Sequence, residues 1–357
     1  MARFAPDYYK AIEPMIKAAE SQPPAAPPKN VCELTTTLNA LMAVIFKDPP
    51  APAHIVQSKH QIPVPGGRTV AVTRYATAEQ RAAKDQPAVI YLHAGGMVCA
   101  SVDLLGNVIA NESAHVGVQY WAVNYTKSPE VAAPVALEEA YAVLTHLSAH
   151  AAQLGIDNTR IAVGGASAGG GMAAGLGLIA RDRGFRPPIA KLVLVYPMLD
   201  DRTVQAHPPT GARHAGANRS DDDWPVRPFL TWSCESNALA WNAYLGLGHP
   251  ATDDPLTAAA NLAKATATAP GFPGAAAHYA IPARAASLAG LPPTYMDCGG
   301  LDLFLEECAQ FAARLAHDGV ELDFHIFHGV PHGFESAPAT NAARTAMEQR
   351  KLAYNSF

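Results

Sequence analysis

The spacing of apolar and polar positions changes period along the chain. Residues 7 to 46 carry apolar side chains at helical spacing, interrupted by Ser21-Gln22-Pro23-Pro24-Ala25-Ala26-Pro27-Pro28. This predicts two helices joined by an extended segment, because proline fixes φ and removes a helical donor. The period then shortens to two. Gln61 to Pro65 and Arg68 to Tyr75 flank Gly66-Gly67, which predicts a hairpin whose glycines supply the positive φ of the turn.

Beyond residue 88, short apolar runs alternate with longer amphipathic stretches. Strands are expected at Ala88–Leu92, Val118–Val123, Ile161–Val163, Lys191–Tyr196, Pro293–Cys298 and Glu321–Phe327. Those that are apolar without a break suit strands covered on both faces. Helices are expected over about 131–150, 168–183, 303–316 and 341–352. Repeated β-α alternation predicts an α/β fold, with a mostly parallel central sheet flanked by helices. One stretch breaks the rhythm. Residues 201–282 are rich in Ala, Pro, Gly and Asn, hold Trp224, Trp232 and Trp241, and are too long for a connecting loop. They read as an inserted helical cap, to which the N-terminal helices of 1–55 contribute. The two parts of the core are then 56–200 and 283–357.

Composition narrows the classes. The chain has 357 residues, 49% of them apolar and 16% charged, which suits one large core. Its 26 basic and 31 acidic residues leave a net charge of −5, without the basic excess of a nucleic-acid binder. Five cysteines, Cys32, Cys99, Cys234, Cys298 and Cys308, are widely spaced with no Cys-x-x-Cys pair, and read as free buried thiols in a reducing compartment. The N-terminus has no apolar run of signal-peptide type, and the runs Leu41 to Phe46 and Leu192 to Tyr196 are too short to span a membrane. The expectation is a cytoplasmic protein without a membrane span.

The densest chemical signal is Gly164-Gly165-Ala166-Ser167-Ala168-Gly169-Gly170-Gly171, between a predicted strand and helix. It contains Gly-x-Ser-x-Gly. In a strand-turn-helix elbow the serine is held in a strained conformation, so its neighbours two positions away must be tiny. The helix that follows directs its free N–H groups at the same spot. A glycine-rich run could instead cradle a phosphate, but no Gly-Lys-Ser/Thr ending or Gly-x-Gly-x-x-Gly after the first strand accompanies it. His93-Ala94-Gly95-Gly96-Met97 follows another strand, where glycines let backbone N–H groups approach a substrate oxygen. His93 itself reads as a loop anchor.

Two later segments complete an arrangement in the order Ser, Asp, His. Asp302 ends Cys298-Gly299-Gly300-Leu301-Asp302, at a strand's C-terminal end, and His332 lies in His328-Gly329-Val330-Pro331-His332-Gly333-Phe334 after the last strand. A histidine can take the serine proton, and a carboxylate can fix that histidine's tautomer. Competing acids are Asp297, inside the strand, and Glu306 and Glu307, one helical turn later, which face solvent or support the loop. His325, His328 and His332 could be imagined as a metal cluster, but His325 lies mid-strand and no spaced carboxylate joins them. No metal is expected. Asp221-Asp222-Asp223 reads as a solvated charge run.

Taken together, His93-Ala94-Gly95-Gly96, Asn124-Tyr125-Thr126-Lys127-Ser128-Pro129-Glu130, the Ser167 elbow, Tyr196-Pro197-Met198-Leu199-Asp200-Asp201, Gly300-Leu301-Asp302 and His332-Gly333-Phe334 resemble the hormone-sensitive-lipase-like branch of the α/β-hydrolases. These are carboxylesterases with a helical cap, and the resemblance spans most of residues 60 to 350. It implies Ser167 as nucleophile, Asp302 as acid and His332 as base, with the N–H groups of Gly95, Gly96 and Ala168 as oxyanion hole. Ala94 stands where the family often has Gly, and Ala166 where it has Asp or Thr; neither change removes a catalytic group. The function implied is a serine carboxylesterase acting on a small to medium apolar ester through an acyl-enzyme, without a cofactor. Two rivals share the scaffold. One is a biosynthetic enzyme using the elbow for acyl transfer, lactone opening or elimination. The other is a non-catalytic small-molecule receptor, as in the plant gibberellin receptors. The expected partner is a small-molecule ester rather than nucleic acid, and a homodimer is left open.

Overall fold

The computed structural model describes residues 3–21, 26–211, 224–268 and 277–357. The chain opens on α1 (Pro6–Glu20) and α2 (Val31–Ile45). The Asn30 side chain caps α2 by accepting the Glu33 N–H, satisfying one of the donors a helix start leaves free. Part of the proline segment between these helices, residues 22–25, lies outside the described residues, as do Asp221, Asp222 and Asp223.

The hairpin follows as β1 (Ile55–Val64) and β2 (Arg68–Thr77), with φ of 83° at Gly66 and 73° at Gly67. Then come α3 (Ala78–Ala82), β3 (Gln86–Leu92), α4 (Gly106–Val116), β4 (Gln119–Val123), α5 (Val135–Ala149), α6 (Ala151–Leu154), β5 (Ile156–Ala166), α7 (Ala168–Asp182) and β6 (Lys191–Val195). The insertion contributes α8 (Thr203–Ala206), α9 (Cys234–Tyr244), α10 (Pro255–Thr268) and α11 (Ala277–Ala280). The chain closes with β7 (Thr294–Gly299), α12 (Leu305–His317), β8 (Leu322–Phe327) and α13 (Asn341–Tyr354).

The strands form one eight-stranded sheet in the order β1-β2-β4-β3-β5-β6-β7-β8. β1 and β2 are antiparallel to each other, β2 is antiparallel to β4, and every pairing from β4 to β8 is parallel. This is the α/β architecture that the alternation predicts. Several boundaries differ from the sequence expectation; β1, expected from Gln61, begins at Ile55, and two other shifts have a local cause. The helix expected from 131 starts at Val135, because the residue before Pro134 is disfavoured in the α region. The strand expected over Ile161–Val163 runs from Ile156 to Ala166, its first half carrying polar residues that a search for apolar runs passes over.

α7 packs deepest, with every residue from Ala168 to Ala180 buried. Each glycine inside it costs the helix roughly 0.5–1 kcal/mol relative to alanine. Close packing outweighs that cost: a Cβ on Gly171 would stand 1.9 Å from the Met198 carbonyl oxygen. The chain runs from β3 to one side of the sheet and from β5 to the other, so the strand order reverses between them. Ligands of open α/β sheets bind beyond the carboxyl ends of strands at such a point. Ser167 follows β5 there, and the Gly95-Gly96 loop follows β3. On the same edge α2 is tied to the loop after β3, where the Ala100 N–H donates to Asn39 Oδ1 at 2.8 Å, and to the insertion, where Asn30 Nδ2 donates to the Ala251 carbonyl at 2.9 Å. No helix among the described residues is long and apolar enough to cross a membrane.

Candidate active site

Ser167 joins β5 to α7 with φ 57° and ψ −122°, a left-handed conformation that costs a non-glycine residue of order 1–3 kcal/mol. Surrounding bonds hold it there. Its N–H donates to the Val195 carbonyl at 2.8 Å, and its carbonyl accepts from the Met198 and Gly171 N–H groups, both at 3.0 Å. The flanking glycines are required by crowding. A Cβ on Gly169 would lie 1.9 Å from the Leu92 carbonyl oxygen, and one on Gly165 would lie 2.4 Å from that of Gly169.

Three side chains form one hydrogen-bonded line. His332 Nε2 is 3.0 Å from Ser167 Oγ, and His332 Nδ1 is 2.8 Å from Asp302 Oδ2. Asp302 is buried, and its other oxygen accepts the Phe304 N–H at 2.9 Å. An ionised carboxylate only accepts, which assigns the imidazole proton to Nδ1 and leaves Nε2 free to accept from the serine. The His332 ring is held between Tyr196, at 4.4 Å between centroids, and Phe304, edge-on at 5.3 Å.

The loop after β3 is shaped just as tightly. Gly95 has φ 130°, its carbonyl accepts the Val98 and Cys99 N–H groups, and a Cβ there would lie 2.2 Å from the Cys99 carbonyl oxygen. Gly96 has φ 58° and abuts the Trp232 indole, 2.5 Å from where its Cβ would stand. His93 anchors this loop. Its Nδ1 is 2.7 Å from the Ala94 carbonyl, its ring stacks on Tyr125 at 4.2 Å, and the Tyr125 hydroxyl donates to its carbonyl. Burial pushes the His93 imidazole down to about 3, so it stays neutral near pH 7. Non-glycine residues with positive φ gather here: Met97 and Ala100 in this loop, Ser167, and Tyr196 after β6.

A protein family described as alpha/beta hydrolase fold matches residues 89–336, a span that contains all three side chains of the line. The chain belongs to the α/β-hydrolase family. Among curated relatives, Esterase LipI of Mycobacterium tuberculosis (strain ATCC 25618 / H37Rv) is 29% identical over 270 residues, 75% of this chain and 72% of that protein. Carboxylesterase NlhH of the same strain is 27% identical over 249 residues, 70% of this chain and 66% of that protein. Among solved structures, a bacterial heroin esterase aligns with a TM-score of 0.75 and 27% identity, covering 97% of this chain and 98% of the other. A Pyrobaculum calidifontis esterase aligns with a TM-score of 0.73 and 25% identity, covering 96% and 98%.

The competing residues of this α/β-hydrolase lie apart from the line. Asp297 is buried against Arg350, and Glu306 is largely exposed. Glu307 does not face solvent. It is buried, accepts the Leu199 N–H at 2.6 Å and the Thr203 hydroxyl, and supports the loop after β6; burial pushes its carboxyl well above the usual range. His325 contacts the Tyr295 and Phe327 rings, His328 is exposed, and no group of three candidate ligands among the described residues could hold a metal ion. Cys32 departs from the expected buried thiols: it is exposed at the start of α2, where its Sγ donates to the Pro250 carbonyl of the insertion.

Three contacting residues were not singled out in the sequence. The Thr231 hydroxyl donates to the His332 carbonyl at 2.7 Å, and Arg350 with Glu335 lies beneath the His332 loop. Arg350 left a readable trace. It shares the buried face of α13 with Ala343, Ala346, Ala353 and Tyr354, and a charge on an apolar helix face needs a buried partner. Thr231 left none, because its role depends on where the insertion folds back.

Proposed function

We propose that this α/β-hydrolase is a serine carboxylesterase that cleaves a small to medium apolar ester through an acyl-enzyme on Ser167. The single observation that carries the reading is the line Asp302–His332–Ser167, with both hydrogen bonds made and the serine on a strained turn. Ester hydrolysis is also the activity in the names of the relatives.

In the proposed cycle His332 Nε2 takes the Ser167 proton as Oγ attacks the ester carbonyl. Asp302 holds the imidazolium that forms. The carbonyl oxygen becomes an oxyanion facing the N–H groups of Gly95, Gly96 and Ala168. Ala168 opens α7, where a helix start has free donors, and one such donor is worth about 10²–10³ in kcat. His332 then protonates the departing alcohol. A water gives a proton to the same nitrogen as it attacks the acyl carbonyl, and His332 returns that proton to Oγ as the acid leaves and Ser167 is freed. Every proton is carried by these residues, so the proposed cycle calls for no cofactor.

The N-terminal helices of 1–55 and the insertion 201–282 form the proposed cap. Two adjacent residues of the insertion reach both loops of the site, Thr231 on the His332 carbonyl and Trp232 on Gly96. An indole against the oxyanion loop supports an apolar substrate. Trp232→Ala should therefore widen acyl or alcohol preference and change KM more than kcat, as expected when a wall contributes partly uniform binding. Trp241 is fully buried, so Trp241→Ala should cost about 3–5 kcal/mol of stability and leave selectivity alone. Kinetics on a chain-length series of aryl esters, with chemical denaturation, separates the two; unchanged selectivity in Trp232→Ala would place specificity elsewhere.

The reading itself is tested with a fluorophosphonate. It should add once, at Ser167 by peptide mapping, and abolish hydrolysis of a short aryl ester. Labelling at another residue, or ester turnover surviving complete labelling, would reject it.

A further inference from the structure

The guanidinium of Arg350 is buried beneath the site and bridges two chain segments. Its Nε and Nη2 donate to the two oxygens of Asp297 at 2.7 and 2.9 Å, and its Nη1 pairs with Glu335. Asp297 lies on β7, the strand that leads to Asp302, and also accepts the Tyr295 hydroxyl at 2.9 Å. Glu335 lies in the turn that follows His332. The same guanidinium stands 5.7 Å from the centroids of Tyr196 and of Phe334, and Tyr196 in turn packs on the His332 ring.

An ion triad of this kind is a poor source of stability. Desolvating three charges is costly, and apolar residues of the same volume often do as well or better. What the planar fork of arginine adds is direction, because two parallel bonds fix the carboxylate in angle as well as distance. Here the fixed quantity is the separation between the strand carrying the acid and the loop carrying the base. We propose that Arg350 is a positioning residue for the reaction, holding Asp297 and Glu335 so that His332 stays aligned between Asp302 and Ser167, with Tyr196 backed against its ring. The proposal rests on the reading of these three residues as the reacting line. A displacement of 1 Å at such a line can cost about 10²-fold in rate.

Arg350→Lys keeps the charge and loses the fork, while Glu335→Gln, at a side chain 20% exposed, releases only the arm on the base loop. Both are measured on short aryl esters well below their melting temperatures, beside Arg74→Met. Arg74 is a second buried arginine, bonded to Gln119 between β2 and β4, away from the site. The expected result for Arg350→Lys and Glu335→Gln is kcat lower by about 10- to 100-fold with KM unchanged. The far-downfield proton signal of the His332–Asp302 hydrogen bond should also shift or broaden. Arg74→Met should lose melting temperature and keep kcat. Wild-type kcat and proton signal in both test variants, with only a lower melting temperature, would make Arg350 structural and overturn the proposal. An equal kcat loss in Arg74→Met would overturn it too, as general loosening. Failure of the fluorophosphonate to label Ser167 in the unaltered protein is a separate result, and it would remove the underlying reading along with this one.

Discussion

Replacing Ser167 with alanine is expected to lower kcat on a short aryl ester by about 10⁶-fold while leaving the melting temperature close to that of the parent protein. The kinetic loss follows from removing the only atom that forms the proposed acyl bond; what remains, about 10³–10⁴ over water, comes from oxyanion donors and binding. Stability should hardly change for two reasons. The hydroxyl makes one hydrogen bond, to His332, which retains its second partner in Asp302. The positive φ of 57° is as unfavourable for alanine as for serine, so the turn keeps its strain. Steady-state kinetics with thermal denaturation checks both halves. Ordinary turnover in the alanine variant would remove the nucleophile, and with it the proposed mechanism.

Asp302→Asn is expected to lower kcat by up to about 10⁴-fold with KM little altered. The local hydrogen bonds determine how the amide must sit. Asp302 Oδ1 accepts the Phe304 N–H at 2.9 Å, so the asparagine keeps its oxygen there and turns its NH2 toward His332. His332 Nδ1 must then accept, its proton moves to Nε2, and Nε2 can no longer receive the serine proton. Glu306→Gln, at an exposed side chain touching Gln310, should leave kcat unchanged. Glu307→Gln should do the same, because the neutral amide replaces a carboxyl that burial already drives toward its neutral form. A large loss at either glutamate beside a near-normal Asp302→Asn would assign the acid elsewhere.

Much of the fold and of this arrangement was legible in the chain, for local reasons. β3, β4 and β6 are five to seven residues of nearly unbroken apolar side chain, which only a strand covered on both faces hides from water. The elbow was legible because its constraint is short-range: Gly165 and Gly169 exclude a Cβ that would strike backbone within the same strand-turn-helix unit and the neighbouring β3. Gly95 and Gly96 carry positive φ in the same way, as a property of their own loop. Asp302 and His332 were legible by their places at strand ends, which puts both on the edge where Ser167 emerges.

What the sequence left open depends on contacts between distant segments. Nothing near Thr231 announces that the insertion returns to the His332 carbonyl, nor does anything near Trp232 announce that its ring covers Gly96. Trp241 and Trp232 read alike along the chain and both are buried, yet packing sets the second against Gly96 in the loop after β3. Glu307 and Glu306 are adjacent and identical, and only the rotation of α12 against the loop after β6 buries one and exposes the other. By itself, then, the sequence determined the strand and helix order, the elbow and the chemical types at the sheet edge, because period, crowding and backbone φ are settled within a few residues. The tertiary structure decided the alignment of Asp302, His332 and Ser167, the Arg350 bridge beneath them and the Thr231 bond to the His332 carbonyl, because hydrogen bonds of 2.7–3.0 Å between segments far apart in sequence exist only once the sheet has brought those segments together.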